Sequence, residues 1–199
     1  MSAKYRPAFV ILLVLLSAPA QPGVAFGQQT AEDLVNRGMV KATKGDLDGA
    51  VADFTKAIEL NPKYAEAYNN RGVAKKDKGD LDGAIADYSK TIELNPKLAS
   101  AYNNRGNAEM AKNNWDGAIA DFTKSIELNP KSASTWYNRG IAKNDKRDWD
   151  GAIADDSKAI ELNPKLAPAY NNRGVAKRAK GDQAGADADF AQADIIGGH

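Results

Sequence analysis

AEAYNNRGVAKKDKGDLDGAIADYSKTIELNPKL, residues 65–98, contains one complete folding unit. Tyr68, Gly72 and Lys75 stand at i, i+4 and i+7, with Arg71 at i+3, so one helix face carries all four. The Gly79-Asp80-Leu81-Asp82 stretch breaks that helix. Glycine supplies the turn, and Asp82 can cap the helix that follows. Ala84, Ile85, Tyr88, Ile92 and Leu94 form the inward side of that second helix. Asn95-Pro96 ends it, because proline lacks a donor and disfavours helix in the residue before it. Neither helix is apolar enough to stand alone, so each must pack its stripe against neighbours.

The same phrases recur in phase. IELNPK occupies 58–63, 92–97, 126–131 and 160–165, which sets Pro62, Pro96, Pro130 and Pro164 34 residues apart. NRG recurs at 36–38, 70–72, 104–106, 138–140 and 172–174. DGA recurs at 48–50, 82–84, 116–118 and 150–152, and degenerates to Ala184-Gly185-Ala186. A fixed period of this size predicts a solenoid of stacked units. The units are 31–64, 65–98, 99–132, 133–166 and 167–199, the last stopping short of its proline.

Within that period the units resemble the tetratricopeptide repeat. Tyr68, Gly72, Ala84, Tyr88 and Pro96 match five hallmark places. So do Tyr102, Gly106, Ala118, Phe122 and Pro130, and in the next unit Trp136, Gly140, Ala152 and Pro164. The resemblance spans 31–196 and implies an all-α, right-handed α-solenoid of helix-turn-helix repeats. Gly72 and Ala84 fit that fold mechanically: two helices cross closely only where side chains are small, and Tyr88 fills the space beside the crossing.

The resemblance also implies a concave groove lined by the first helix of each unit. Carried over residue by residue, the groove presents Asn69, Asn103, Tyr137 and Asn171, with Val35 in the first unit. One turn on come Val73, Asn107, Ile141 and Val175, preceded by Met39. Asn36, Asn70, Asn104, Asn138 and Asn172 form a ladder beside them. An amide both donates and accepts, so such a ladder can hold a peptide backbone. It can equally bond neighbouring helices to each other, and both readings are open. Relatives that clamp a C-terminal carboxylate use basic residues in this groove. Here Glu66, Ser100 and Ser134 stand at those places, which argues against a carboxylate clamp.

Four features depart from the family pattern. Arg37, Arg71, Arg105, Arg139 and Arg173 precede the hallmark glycines, where an apolar residue is usual. Asp53, Asp87, Asp121, Asp155 and Asp189 recur near the start of the second helix. Each Arg is expected to bury its stem and pair with the Asp of its own or the adjoining unit. Asp156 replaces the aromatic of Phe54, Tyr88, Phe122 and Phe190, as a soft spot or as a partner in a polar contact. The last unit lacks a capping helix, which leaves Ile195 and Ile196 exposed or available to a second copy.

Residues 1–27, MSAKYRPAFVILLVLLSAPAQPGVAFG, read as a secretory signal peptide: Lys4 and Arg6, an apolar run from Ala8 to Leu16, then small residues. The run is about half the ~20 residues a membrane-spanning helix needs. Cleavage after Ala20 or Gly27 fits, and the expected location is periplasmic or secreted, with no stable membrane insertion after cleavage.

Composition closes off other classes. The formal net charge is +1, without the basic surplus of a nucleic-acid binder. There is no Cys and a single His, His199, so Cys and His metal sites, a Cys nucleophile and a Ser-His-Asp triad lack their parts. The Asp-rich turns lack the ligand spacing of a calcium loop. No catalytic residue, cofactor or metal is expected. The expected role is an exported protein-interaction scaffold binding a peptide or partner loop. The alternative is a self-associating module of the cell envelope, a homo-oligomer through its C-terminal repeat.

Overall fold

The computed structural model describes residues 29–198. The expected signal segment 1–27 lies outside them. The described residues form ten α-helices and no strand. Unit 1 is α1 (Ala31–Thr43) and α2 (Leu47–Leu60), and unit 2 is α3 (Ala65–Asp77) and α4 (Leu81–Leu94). Unit 3 is α5 (Ala99–Ala111) and α6 (Trp115–Leu128), and unit 4 is α7 (Ala133–Asp145) and α8 (Trp149–Leu162). Unit 5 is α9 (Ala167–Ala179) and α10 (Gln183–Gly197).

The turns differ in one respect from the sequence expectation. The residue that caps α4 is Asp80, not Asp82: its carboxylate accepts from Gly83 N–H. Asp46, Asn114, Asp148 and Asp182 do the same in their units. Asp82 instead receives Lys112 of the next unit, as Asp48, Asp116 and Asp150 receive Lys78, Lys146 and Lys180. An N-cap must sit just outside the helix to reach the orphan N–H groups, and Asp82 already lies inside it. Gly79 holds φ at +85°, the left-handed region that glycine enters at little cost. Asn113 and Arg147 occupy the equivalent place in units 3 and 4, at +60° and +62°.

The second helices of units 1 to 4 each pack between the first helices of their own and the next unit, and α10 packs on α9. First helices also touch each other, α1 to α3 and so on to α9, whereas no two second helices meet among the described residues. The first helices therefore crowd the inner side of a solenoid and the second helices form its outer wall.

The crossing within a unit is tight. A Cβ added to Gly72 would lie 2.7 Å from the Tyr88 ring, and one added to Gly106 would lie 2.8 Å from that of Phe122. Ala84 and Tyr88 are fully buried, as expected. Ile85, Ile92 and Leu94 are only half-buried, and Thr91 takes the deep place instead, with its hydroxyl on the Asp87 carbonyl.

Each Arg before a hallmark glycine pairs with the Asp of its own unit through two parallel hydrogen bonds. Arg71 donates to Asp87 from Nε at 2.9 Å and from Nη2 at 2.7 Å. Arg37–Asp53, Arg105–Asp121, Arg139–Asp155 and Arg173–Asp189 repeat this. The Asp lies in the middle of the second helix rather than at its start, buried in each unit. The third guanidinium nitrogen reaches back to the preceding unit: Arg71 to Thr55, Arg105 to Ser89, Arg139 to Thr123, Arg173 to Ser157. One side chain thus fastens two helices and two units. A lysine one turn on adds a second cation to the Asp in units 1, 2, 4 and 5. Unit 3 has Glu109 there.

Unit 5 departs from units 1 to 4 at two places on its outer boundary. At the hydroxyl position unit 5 has Ala191, and at the Lys-receiving position it has Ala184. Both acceptors that a sixth unit would need are missing. Ile195 is 71% exposed, as expected, whereas Ile196 is half-buried. Among the described residues, no helix is long and apolar enough to cross a membrane.

Candidate functional site

The residues expected to line the groove lie on the first helices of their units, α3, α5, α7 and α9. Asn69, Asn70, Val73, Asn103, Asn104, Asn107, Tyr137, Asn138, Ile141 and Asn172 are half-buried there, and Asn171 and Val175 are exposed. Val35 is a correction: at 1% exposure it belongs to the core with Leu34, Phe54 and Ala67, and it presents nothing to a groove. A branched apolar side chain is drawn into the unit boundary where an amide stays at the surface.

The ladder bonds across units. Asn104 Nδ2 donates to Asn69 Oδ1 at 3.2 Å. Asn138 Nδ2 donates to Asn103 Oδ1 at 3.3 Å and to Asn107 Oδ1 at 3.1 Å. These bonds fix which end of each amide remains. Asn103 and Asn107 keep an N–H₂ donor, and Asn104 and Asn138 keep a carbonyl acceptor. Free donors and acceptors side by side suit an extended peptide backbone, which offers both.

Unit 4 breaks the ladder. Tyr137 replaces the amide that Asn172 would reach, and Asn172 turns inward. Its Nδ2 donates to Asp156 Oδ2 at 2.7 Å, while its Oδ1 and backbone carbonyl accept from Asn144 Nδ2 at 2.7 and 2.9 Å. Asp156 is therefore a partner in a polar contact. It is completely buried, with Oδ1 beside Gly140 and unpartnered. Burial pushes its carboxyl up to about 8; the Asn172 bond pulls the other way, and Asp155 adds to the rise. Burial raises the Tyr137 phenol too, with a smaller push from Asp156. Asn144 was not singled out by sequence. The available signal was that it stands where the other units have Ala42, Lys76, Met110 and Arg178.

Three depressions accompany these departures. One of about 260 Å³ lies between units 1 and 2, lined by Met39, Leu47, Phe54, Asn70, Val73 and Asp77 among others. One of about 150 Å³ lies between units 3 and 4, lined by Ser100, Asn103, Ser125, Ser132, Ser134 and Thr135 among others. Ser132 opens it, since Tyr64, Leu98 and Leu166 fill that place elsewhere. One of about 500 Å³ spans Tyr137, Pro168, Asn171, Asn172, Val175 and Phe190, between units 4 and 5. The basic run 177–180 is not a free cationic patch. Lys177 holds Asp189, Lys180 holds Asp150, and Arg178 lies 5.3 Å over the Phe190 ring.

Comparison with known proteins agrees with this geometry. A family model described as "TPR repeat" matches residues 38–79 and 74–110, and one described as "Tetratricopeptide repeat" matches 99–132. A crystal structure of MamA is 30% identical, with a TM-score of 0.76 over 80% of this chain and 93% of that one. The chain belongs to the tetratricopeptide-repeat proteins. As in other such proteins, the fold is a right-handed solenoid. MamA from Desulfovibrio magneticus RS-1, 19% identical, shares that fold at a TM-score of 0.79 over 86% of this chain and 97% of that one. YrrB, described as a TPR protein with an unusual peptide-binding site, shares it at 20% identity and a TM-score of 0.74, over 85% and 88%. A search of curated proteins found no match.

Proposed function

We propose that this tetratricopeptide-repeat protein is an exported scaffold that binds an extended peptide, or a loop of a partner protein, along its inner wall. The observation that carries the reading is the half-used amide ladder. Asn103, Asn104, Asn107 and Asn138 each use one end between units and keep the other. The order of the wall agrees, with an apolar depression at one end and a mixed polar and apolar one at the other. The basic start and short apolar run of residues 1–27 support export to the periplasm or beyond.

Asn103→Asp tests the groove, because it keeps the oxygen that Asn138 uses and replaces the free donor with a charged acceptor. Peptides selected from a random display library on the wild-type chain should bind this variant at least tenfold more weakly. Equal binding rules the ladder out. N-terminal sequencing of the protein after cell fractionation tests export. A start at Gln21 or Gln28 outside the cytosol supports it, and an intact Met1 in the cytosol rules it out.

Self-association through the C-terminal unit has Ile195 in its favour. Against it stand Ala184 and Ala191, which remove the acceptors that stacked units use.

A further inference from the structure

Unit 1 differs from its neighbours at two places that meet its boundary with unit 2. Val35 stands where Asn69, Asn103 and Asn171 stand in units 2, 3 and 5. Met39 is apolar like Val73, Ile141 and Val175 at the same place, whereas unit 3 has Asn107. Ala42 stands where the other units have Lys76, Met110, Asn144 and Arg178. Met110 and Asn144 pack into the corresponding boundaries, one against the unit 3 core and one onto Asn172. Ala42 touches the core there but is too short to fill the boundary, and the apolar depression of about 260 Å³ remains.

Two polar groups edge this socket. Asn70 Nδ2 is buried and has no partner. The reason is local: Asn104 and Asn138 donate to Asn69 and Asn103, but the matching acceptor place for Asn70 is Val35. A buried donor left open is costly, so its presence beside a cavity points to an acceptor arriving from outside. Asp77 is half exposed, and its ion pair with Lys76 is long, 3.5 Å, and solvated. Such a pair contributes little and yields readily to an incoming cation.

We propose that this socket is the anchor of the groove. It takes one large apolar side chain of an extended peptide, a carbonyl of that peptide accepts from Asn70 Nδ2, and a basic neighbour pairs with Asp77. The assignment rests on the peptide-binding reading above and names the sequence class that the groove selects. The cavity is smaller than the ~300–1,000 Å³ of small-molecule sites, which suits a single side chain entering from a peptide.

The test is selection of a random dodecapeptide display library on the purified chain, followed by fluorescence anisotropy with the enriched peptides. The enriched sequences should share a large apolar residue with Lys or Arg close beside it. Ala42→Met should weaken their binding at least tenfold, with thermal melting unchanged, because Met110 already occupies that place in unit 3. Asp77→Lys should turn the preference toward acidic neighbours. Peptides that bind Ala42→Met as well as wild type, yet fail on Asn103→Asp, overturn the anchor and leave the groove standing. A library that yields no binders overturns both.

Discussion

Asn172 donates to the buried carboxylate of Asp156 at 2.7 Å, across the boundary between units 4 and 5. The other units fill this place with a ring: Phe54, Tyr88 and Phe122 are fully enclosed. Unit 4 instead builds a three-residue polar contact from Asp156, Asn144 and Asn172. Its energetics depend on a proton.

The carboxyl of Asp156 is pushed up to about 8 in the folded chain from an ordinary 3.8. Between those values the folded state holds a proton that the unfolded state has lost. Stability contributed by Asp156 is therefore full below about pH 4 and falls as pH rises toward 8, by on the order of 5 kcal/mol over the whole interval. Asp53, held down to about 2 first by its Arg37 bond, acts in the opposite sense only below about pH 4. The chain should melt at a higher temperature at pH 5 than at pH 8. Asp156→Phe combined with Asn144→Ala, the pair present in unit 1, should flatten that slope. A slope unaltered by the double change would remove Asp156 as its source.

Arg105→Met should destabilise more than Arg71→Met. Asp87 retains Lys75 at 2.9 Å when Arg71 is lost, whereas unit 3 has Glu109 at the lysine place and Asp121 keeps no cation. Breaking a buried pair by removing one partner costs about 3–5 kcal/mol, because the other charge is stranded. Urea melts should place Arg105→Met near the top of that range and Arg71→Met clearly below it. Equal losses would show that the lysine contributes nothing.

Gly106→Ala should cost about 1–3 kcal/mol through overpacking, since the new methyl would lie 2.8 Å from the enclosed Phe122 ring. Thermal denaturation checks this. A neutral result would mean that α5 and α6 separate freely at their crossing.

Arg147→Gly should stabilise by about 1 kcal/mol. Arg147 is exposed and holds φ at +62°, where Gly45, Gly79 and Gly181 serve in the sister units. A side chain in the left-handed region costs roughly 1–2 kcal/mol, of which glycine's greater unfolded-state freedom returns part. A melting temperature at or below wild type would contradict it.

The helix pairs, their boundaries and their stacking were legible in one repeat. Gly72, Ala84, Tyr88 and Pro96 each have a local or near-neighbour reason to be where they are. Partner choice was less legible. The Arg–Asp pairing was readable because both residues recur in phase, but the link from Arg71 to Thr55 of the preceding unit was not, because it depends on how far one unit is turned against the next. Asp80 rather than Asp82 as cap turned on a shift of two residues in the helix start.

By itself, the sequence determined the period and the all-α solenoid, because a 34-residue pattern of small, large and turn residues admits one way of packing. Only the tertiary structure decided what the exceptional residues do. Asp156 could have been a void or a contact; Asn172 and Asn144, 16 and 12 residues away, made it a contact. Asn70 looked like every other member of its ladder, and Val35, from the neighbouring unit, left it without an acceptor. Repeated residues answer to the unit they build, whereas exceptional ones answer to neighbours that only the stacking of units brings together.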